Sequence, residues 1–177
     1  MKKCLIIFLL FAICVGCADR YKTEKELQAC FYDALGEQSE KVKYHIKKYE
    51  DILIERGILK DKSKESYYAT FEKLIRRDFF EEELSYGLLD SLNEIVPLNF
   101  ADVNLNCLEK VKQTESYETS VTASIKNQLE EAVKNNVPND AIMDVVITLY
   151  PSDYFQLELH KIQALLLIDR TTGKFKL

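Results

Sequence analysis

The side chains that could do chemistry are few, and their spacing does not gather them. Two histidines are present, His45 and His160. Neither has Cys, His or Asp neighbours at metal-ligand spacing. His45 lies beside an apolar helical stripe and His160 follows Glu158 in an apolar segment, so both read as half-buried amphipathic residues and not as ligands. Apart from Gly16, the glycines are Gly36, Gly57, Gly87 and Gly173. No phosphate cradle and no Gly-x-Ser-x-Gly elbow can be built from them.

Carboxylates are plentiful, and an acid/base pair is not excluded. Glu81-Glu82-Glu83, however, reads as a solvated helix start. Asp51 and Glu55, four apart on one helix, read as facing water. Arg76-Arg77, flanked by Glu72, Asp78 and Glu81, reads as a local salt-bridge face. No catalytic residue, metal or cofactor is expected, and an envelope hydrolase has no motif behind it.

The basic residues Lys41, Lys43, Lys47 and Lys48 line the outer side of one helix. Held close to a bilayer, such a face could rest on anionic headgroups, each Lys contributing about 1 kcal/mol at the surface. The alternative is an ordinary solvated helix back.

These residues follow an N-terminal stretch of different character. Met1-Lys2-Lys3 is basic, and Cys4 to Val15 is unbroken apolar sequence. Twelve helical residues at ~1.5 Å each reach roughly 18 Å, short of the ~30 Å hydrocarbon core. The stretch therefore reads as a cleaved signal peptide over 1–16 and not as a spanning helix.

Its end, Cys14-Val15-Gly16-Cys17, resembles the lipobox of bacterial lipoproteins. Gly16 and Cys17 match that pattern, Val15 is tolerated, and Cys14 departs from the usual Leu. The resemblance covers roughly the first twenty residues. It implies that Cys17 becomes the lipidated first residue of the mature chain, with ordinary secretory cleavage near Gly16 or Ala18 as the alternative. By analogy with enteric lipoproteins, Ala18 in place of Asp implies the outer membrane over the inner, with the leaflet open. Acylation would make anchoring effectively permanent.

On that reading, Cys4 and Cys14 leave with the signal and Cys17 is taken by lipid. Cys30 and Cys107 remain in an oxidising compartment, where a disulfide is the simplest outcome; two buried free thiols are the alternative. Closing a loop of nearly eighty residues is worth on the order of 4 kcal/mol in the chain-entropy model.

The tether over 17–23 is short. Thr23-x-x-Glu26 has the form of a capping box, which leaves five residues after Cys17, a reach of at most about 18 Å. Beyond it, apolar residues recur at helical spacing. A first helix carries Leu27, Cys30, Phe31, Ala34 and Leu35 and stops at Gly36. A second, capped by Ser39, carries Val42, His45 or Ile46, Tyr49, Ile52 and Leu53, and ends at Gly57 with Ile58 placed for a hydrophobic contact. After a turn at Asp61-Lys62-Ser63, a third carries Tyr67 or Tyr68, Phe71, Leu74, Ile75 and Phe79. A fourth begins at Glu81-Glu82-Glu83, carries Leu84, Leu88, Leu92, Ile95 and Val96, is weakened by Gly87 and ends at Pro97.

The segment from Leu98 to Ser120, with Asn99, Asn104 and Asn106, reads as loop with a short helical turn around Cys107, Leu108 and Val111. Thr114 to Thr119 reads as polar and mobile. A fifth helix carries Ile125, Leu129, Ala132 and Val133. A sixth, capped by Asn139, carries Ile142, Val145, Val146 and Leu149. The last segment, Tyr154 to Asp169, is ambiguous in period. A helix through about Leu166 is expected, while the apolar run Ala164 to Ile168 and the turn Arg170-Thr171-Thr172-Gly173 also fit a terminal hairpin, which would make the fold α+β.

The pattern Leu53-Ile54-x-x-Gly57-Ile58-Leu59-x-Asp61 with Ser66-Tyr67-Tyr68 is similar to segments of small exported bacterial proteins of unassigned function and implies no activity. The fold class expected is mainly α, one compact multi-helix bundle over 24–177. Only 5 Gly and 3 Pro argue against a β-sandwich. Removing Lys2 and Lys3 from the 24 basic residues leaves 22 against 29 acidic ones, a net of −7. That charge is a poor match for nucleic acid.

A membrane-anchored, non-catalytic interaction or accessory module, with an envelope protein as partner, is therefore the expected function. Phe79-Phe80 and Tyr154-Phe155 are its aromatic candidates, though each also fits a core. A small-ligand carrier, which would require an apolar cavity, is the alternative.

Overall fold

Positive-φ glycines punctuate the first half of the chain. Gly36 (φ +52) and Gly57 (φ +69) adopt the left-handed backbone that stops a helix without a Cβ penalty. Between and beyond them a computed structural model describes residues 21–76, 84, 86–96 and 100–172. Its helices are α1 (Lys22–Leu35), α2 (Ser39–Glu55), α3 (Lys64–Ile75), α4 (Leu88–Ile95), α5 (Phe100–Val111), α6 (Val121–Lys134), α7 (Asn139–Leu149) and α8 (Glu158–Thr172), with 3-10 turns at Gly36–Gln38 and Ser152–Gln156. The mainly α expectation holds, and no strand is present among the described residues. The signal stretch, Cys17, Phe79-Phe80, Glu81-Glu82-Glu83, Pro97 and the hairpin residues Gly173–Leu177 lie outside the described residues.

One buried cluster draws on every described helix except α7, and a smaller one gathers Tyr21, Ile125, Tyr154 and Leu157. Phe31 of α1, Tyr49 and Leu53 of α2, Tyr67 of α3, Leu88 and Leu92 of α4, and Leu165 and Ile168 of α8 belong to one buried cluster. The stop at Gly57 works as expected: the Ile58 N–H donates to Leu53 O at 2.9 Å and its side chain is buried. α3 is capped by Ser63, whose Oγ accepts the Ser66 N–H at 3.2 Å.

α8 is the hub, packing on α2, α3, α4 and the second 3-10 turn. It buries Leu159, Ile162, Ala164, Leu165 and Ile168, which cover more than one stripe. A helix enclosed on several sides loses its amphipathic period. This is why Ala164–Ile168 also reads as a strand, and why that alternative fails. The expected final segment instead divides into a 3-10 turn and a helix that runs on to Thr172.

Other expectations are corrected. α1 begins at Lys22, before the supposed capping box: Thr23 is buried and its Oγ1 has no hydrogen-bond partner. Ala34 is exposed. Gly87 is not interior to a helix but sits at the N-cap of α4. The supposed loop after Leu98 is a three-turn helix, because Phe100, Val103, Cys107 and Val111 recur on one buried face and outweigh the Asn propensities. Residues 114–119 are held by turn hydrogen bonds from Tyr117 N to Thr114 O (3.1 Å) and Ser120 N to Tyr117 O (2.9 Å), with Tyr117 buried as their anchor. Val133 is 65 % exposed and belongs to no core.

Candidate functional site

α1 and α5 pack side by side and are joined by a Cys30–Cys107 disulfide, with Cα atoms 5.7 Å apart. That bond fixes α5 in place, and α5 forms one wall of an apolar cleft whose other walls come from α3, α8 and the second 3-10 turn. The cleft holds about 510 Å³, within the range of small-molecule sites, and Phe71, Phe100, Leu105, Phe155 and Leu166 line it. A second cleft of about 320 Å³ lies towards α6, lined by Leu27, Leu108, Ile125, Leu129 and Tyr154. Asn104, Tyr150, His160 and Gln163 line both, so they form the shared wall.

That wall concentrates the polar atoms. His160 is 3 % exposed. Its Nδ1 lies 2.9 Å from Gln163 Oε1, one helical turn on. The amide oxygen can only accept, so Nδ1 carries the proton and Nε2 is left as an acceptor. Burial pushes the imidazole pKa down to about 4, against a raising effect of the Gln163 hydrogen bond, so the ring is neutral at neutral pH. Its Nε2 has no hydrogen-bond partner in the protein, and neither has Asn104 Oδ1. Each such orphaned atom costs about 1–3 kcal/mol.

The ring is held in place from behind. His160 stacks on Tyr154 with centroids 3.5 Å apart and an interplanar angle of 18°. The Thr122 hydroxyl donates to the buried Glu24 carboxylate at 3.0 Å, so it accepts from the Tyr154 hydroxyl at 2.9 Å. The same Glu24 oxygen accepts the Thr122 N–H at 2.9 Å. Glu24, in the first turn of α1, thus accepts both the N–H and the hydroxyl of Thr122 in the first turn of α6.

The residues singled out from sequence fall elsewhere. Lys41, Lys47 and Lys48 are exposed on α2. Two of the four lysines are engaged: Lys43 pairs with Glu40 at 2.9 Å and lies 5.2 Å over the Tyr32 ring, and Lys48 lies 4.4 Å over the Tyr86 ring. His45 is half-buried, as expected, and its Nδ1 is hydrogen-bonded to the Tyr86 hydroxyl. His160, expected to be half-buried, is instead fully enclosed. Tyr154 and Phe155 are core, not an exposed groove. Arg76 forms its expected ion pair with Glu72 at 3.2 Å and a further one with Asp144 at 3.3 Å.

Asn104 escaped sequence reading because its segment read as loop. The one available signal was His160-x-x-Gln163, a polar pair at helical spacing inside a run of Leu and Ile. Among the described residues no group of three or more His, Cys, Asp or Glu could hold a metal ion, and no helix is long and apolar enough to cross a membrane. No protein-family model, no curated protein and no solved structure matches the chain.

Proposed function

We propose that this chain is a lipid-anchored envelope protein of non-catalytic type that binds a small, largely apolar molecule in the cleft between α5 and α8. The observation that carries this reading is the 510 Å³ apolar cleft with a few buried polar groups converging on one wall, the general form of a small-molecule site. It favours the carrier over the protein–protein module. Among the described residues, the exposed large apolar side chains are Tyr44, Leu105 and Val133, on three different helices, which is a poor basis for one docking patch.

The anchoring half rests on the Cys14-Val15-Gly16-Cys17 tetrad after a short apolar run. Lipidation at Cys17 with Ala18 following favours the outer membrane, and an envelope protein would be the partner that delivers or receives the bound molecule. Native mass spectrometry of freshly purified protein tests the binding half. A retained small molecule at one per chain is expected. A co-purifying polypeptide without any small molecule would favour the module instead.

A further inference from the structure

We infer that the molecule taken by the cleft is an uncharged amphiphile whose head is a hydrogen-bond donor, such as a long-chain alcohol, read by His160 Nε2 and Asn104 Oδ1; this rests on the carrier reading above. Both atoms lack a partner in the protein, and both are acceptors: Nε2 because Nδ1 donates to Gln163 Oε1, and Oδ1 by its chemistry. What the wall lacks is therefore donors. A hydroxyl satisfies one acceptor directly, and a diol or a hydroxy-amide satisfies both.

Charge narrows the class further. A carboxylate head would bring acceptors to acceptors. An ammonium head would be desolvated beside a neutral imidazole, with no carboxylate lining the 510 Å³ cleft. Arg170, exposed, is the cation lining that cleft. The apolar tail has a matching wall in Phe71, Phe100, Leu105, Phe155 and Leu166.

The two acceptors are closed to solvent by the side chains around them. Since their wall is common to both clefts, a head group seats by parting it. The specificity is then of the strong kind, in which a site built around buried polar atoms rejects a ligand that cannot pair them.

Three probes of one chain length separate the terms: 1-octanol, octyl methyl ether and octanoate. Each displaces N-phenyl-1-naphthylamine from the chain beginning at Ala18, exported behind an ordinary secretory signal so that no lipid competes; it contains every described residue. Octanol is expected to bind at least tenfold more tightly than the ether or octanoate. Asn104→Leu and His160→Phe are each expected to reduce that preference to less than threefold. Equal binding of octanol and ether in the wild type overturns the donor reading, leaves the carrier reading standing, and needs no variant to fold. Tightest binding by octanoate overturns it likewise. If no probe displaces the reporter and the reporter itself does not bind, the carrier reading falls and this inference with it.

Discussion

Asp169 caps a helix that begins eighty-one residues before it. Its carboxylate accepts the Leu88 N–H at 2.8 Å and the Leu89 N–H at 2.9 Å, satisfying two orphan donors at the start of α4. Gly87, at the cap position, has no side chain to do this. The hub helix therefore positions α4 by a buried charge as well as by packing. Asp169→Ala is expected to destabilise the fold by about 2 kcal/mol, through a lost cap and two unpaired N–H groups. Asp169→Asn, which keeps one acceptor, should cost less. Urea denaturation of the three proteins checks the order; equal midpoints would count against the cap.

The disulfide makes a separate prediction. Thiol titration of the unreduced, denatured mature protein is expected to find no free thiol, and two free thiols would contradict the Cys30–Cys107 bond. Replacing both cysteines with Ser should cost about 4 kcal/mol in the chain-entropy model, for a separation of 77 residues. Because the bond ties α1 to the α5 wall of the cleft, reporter binding should weaken in that variant at denaturant concentrations where the wild type is unaffected.

His160 couples stability to pH. Its folded pKa of about 4 lies below the ordinary value of 6.5. Between those values the unfolded chain binds a proton that the folded chain does not, so stability rises with pH across that window. The contribution is complete above pH 6.5 and is lost as pH falls to 4, about 3 kcal/mol in all at ~1.36 kcal/mol per pH unit. Carboxylates titrate nearby, so the readout is the difference between wild type and His160→Phe. The wild type is expected to lose that much more stability from pH 7 to pH 4. Parallel curves would mean the ring is not enclosed as described.

Much of the helical architecture was legible because α1, α2, α3 and α6 each bury one stripe, and α1 and α2 end at a glycine stop. The Leu27–Phe31 and Tyr49–Leu53 spacings are strongly periodic. Two parts were not legible, for opposite reasons. α8 is buried on several sides, so its period is blurred and a strand also fits, though helix is the expectation. α5 has Asn residues whose local preference is for loops, and the burial of Phe100, Val103, Cys107 and Val111 against the rest of the core, with Phe100 on Phe31 (centroids 5.1 Å) and Cys107 bonded to Cys30, outweighs that preference. The candidate site lies between those two helices. His160 was visible as a residue but not as an enclosed one, and that Asn104 lines the same clefts depends on a tertiary arrangement of α5 and α8 that spacing cannot encode.

The anchor is tested at its root by Cys17→Ser. The wild type is expected to partition with detergent and the variant to remain with the aqueous phase or to be retained as an unprocessed precursor. A processed variant that still partitions with detergent would contradict lipid attachment at this residue.

The most direct measurement of the central claim compares what the wild type and a cleft-blocked variant carry. Leu105 lines the cleft, on α5, and is 55 % exposed, so Leu105→Trp can fill the space without disturbing the core. Native mass spectrometry of both proteins, purified identically, is expected to show a small apolar molecule bound to the wild type and at least tenfold less on the variant. A wild type that carries no small molecule and takes up no apolar reporter, or a variant loaded as fully as the wild type, would contradict the assignment of binding to this cleft.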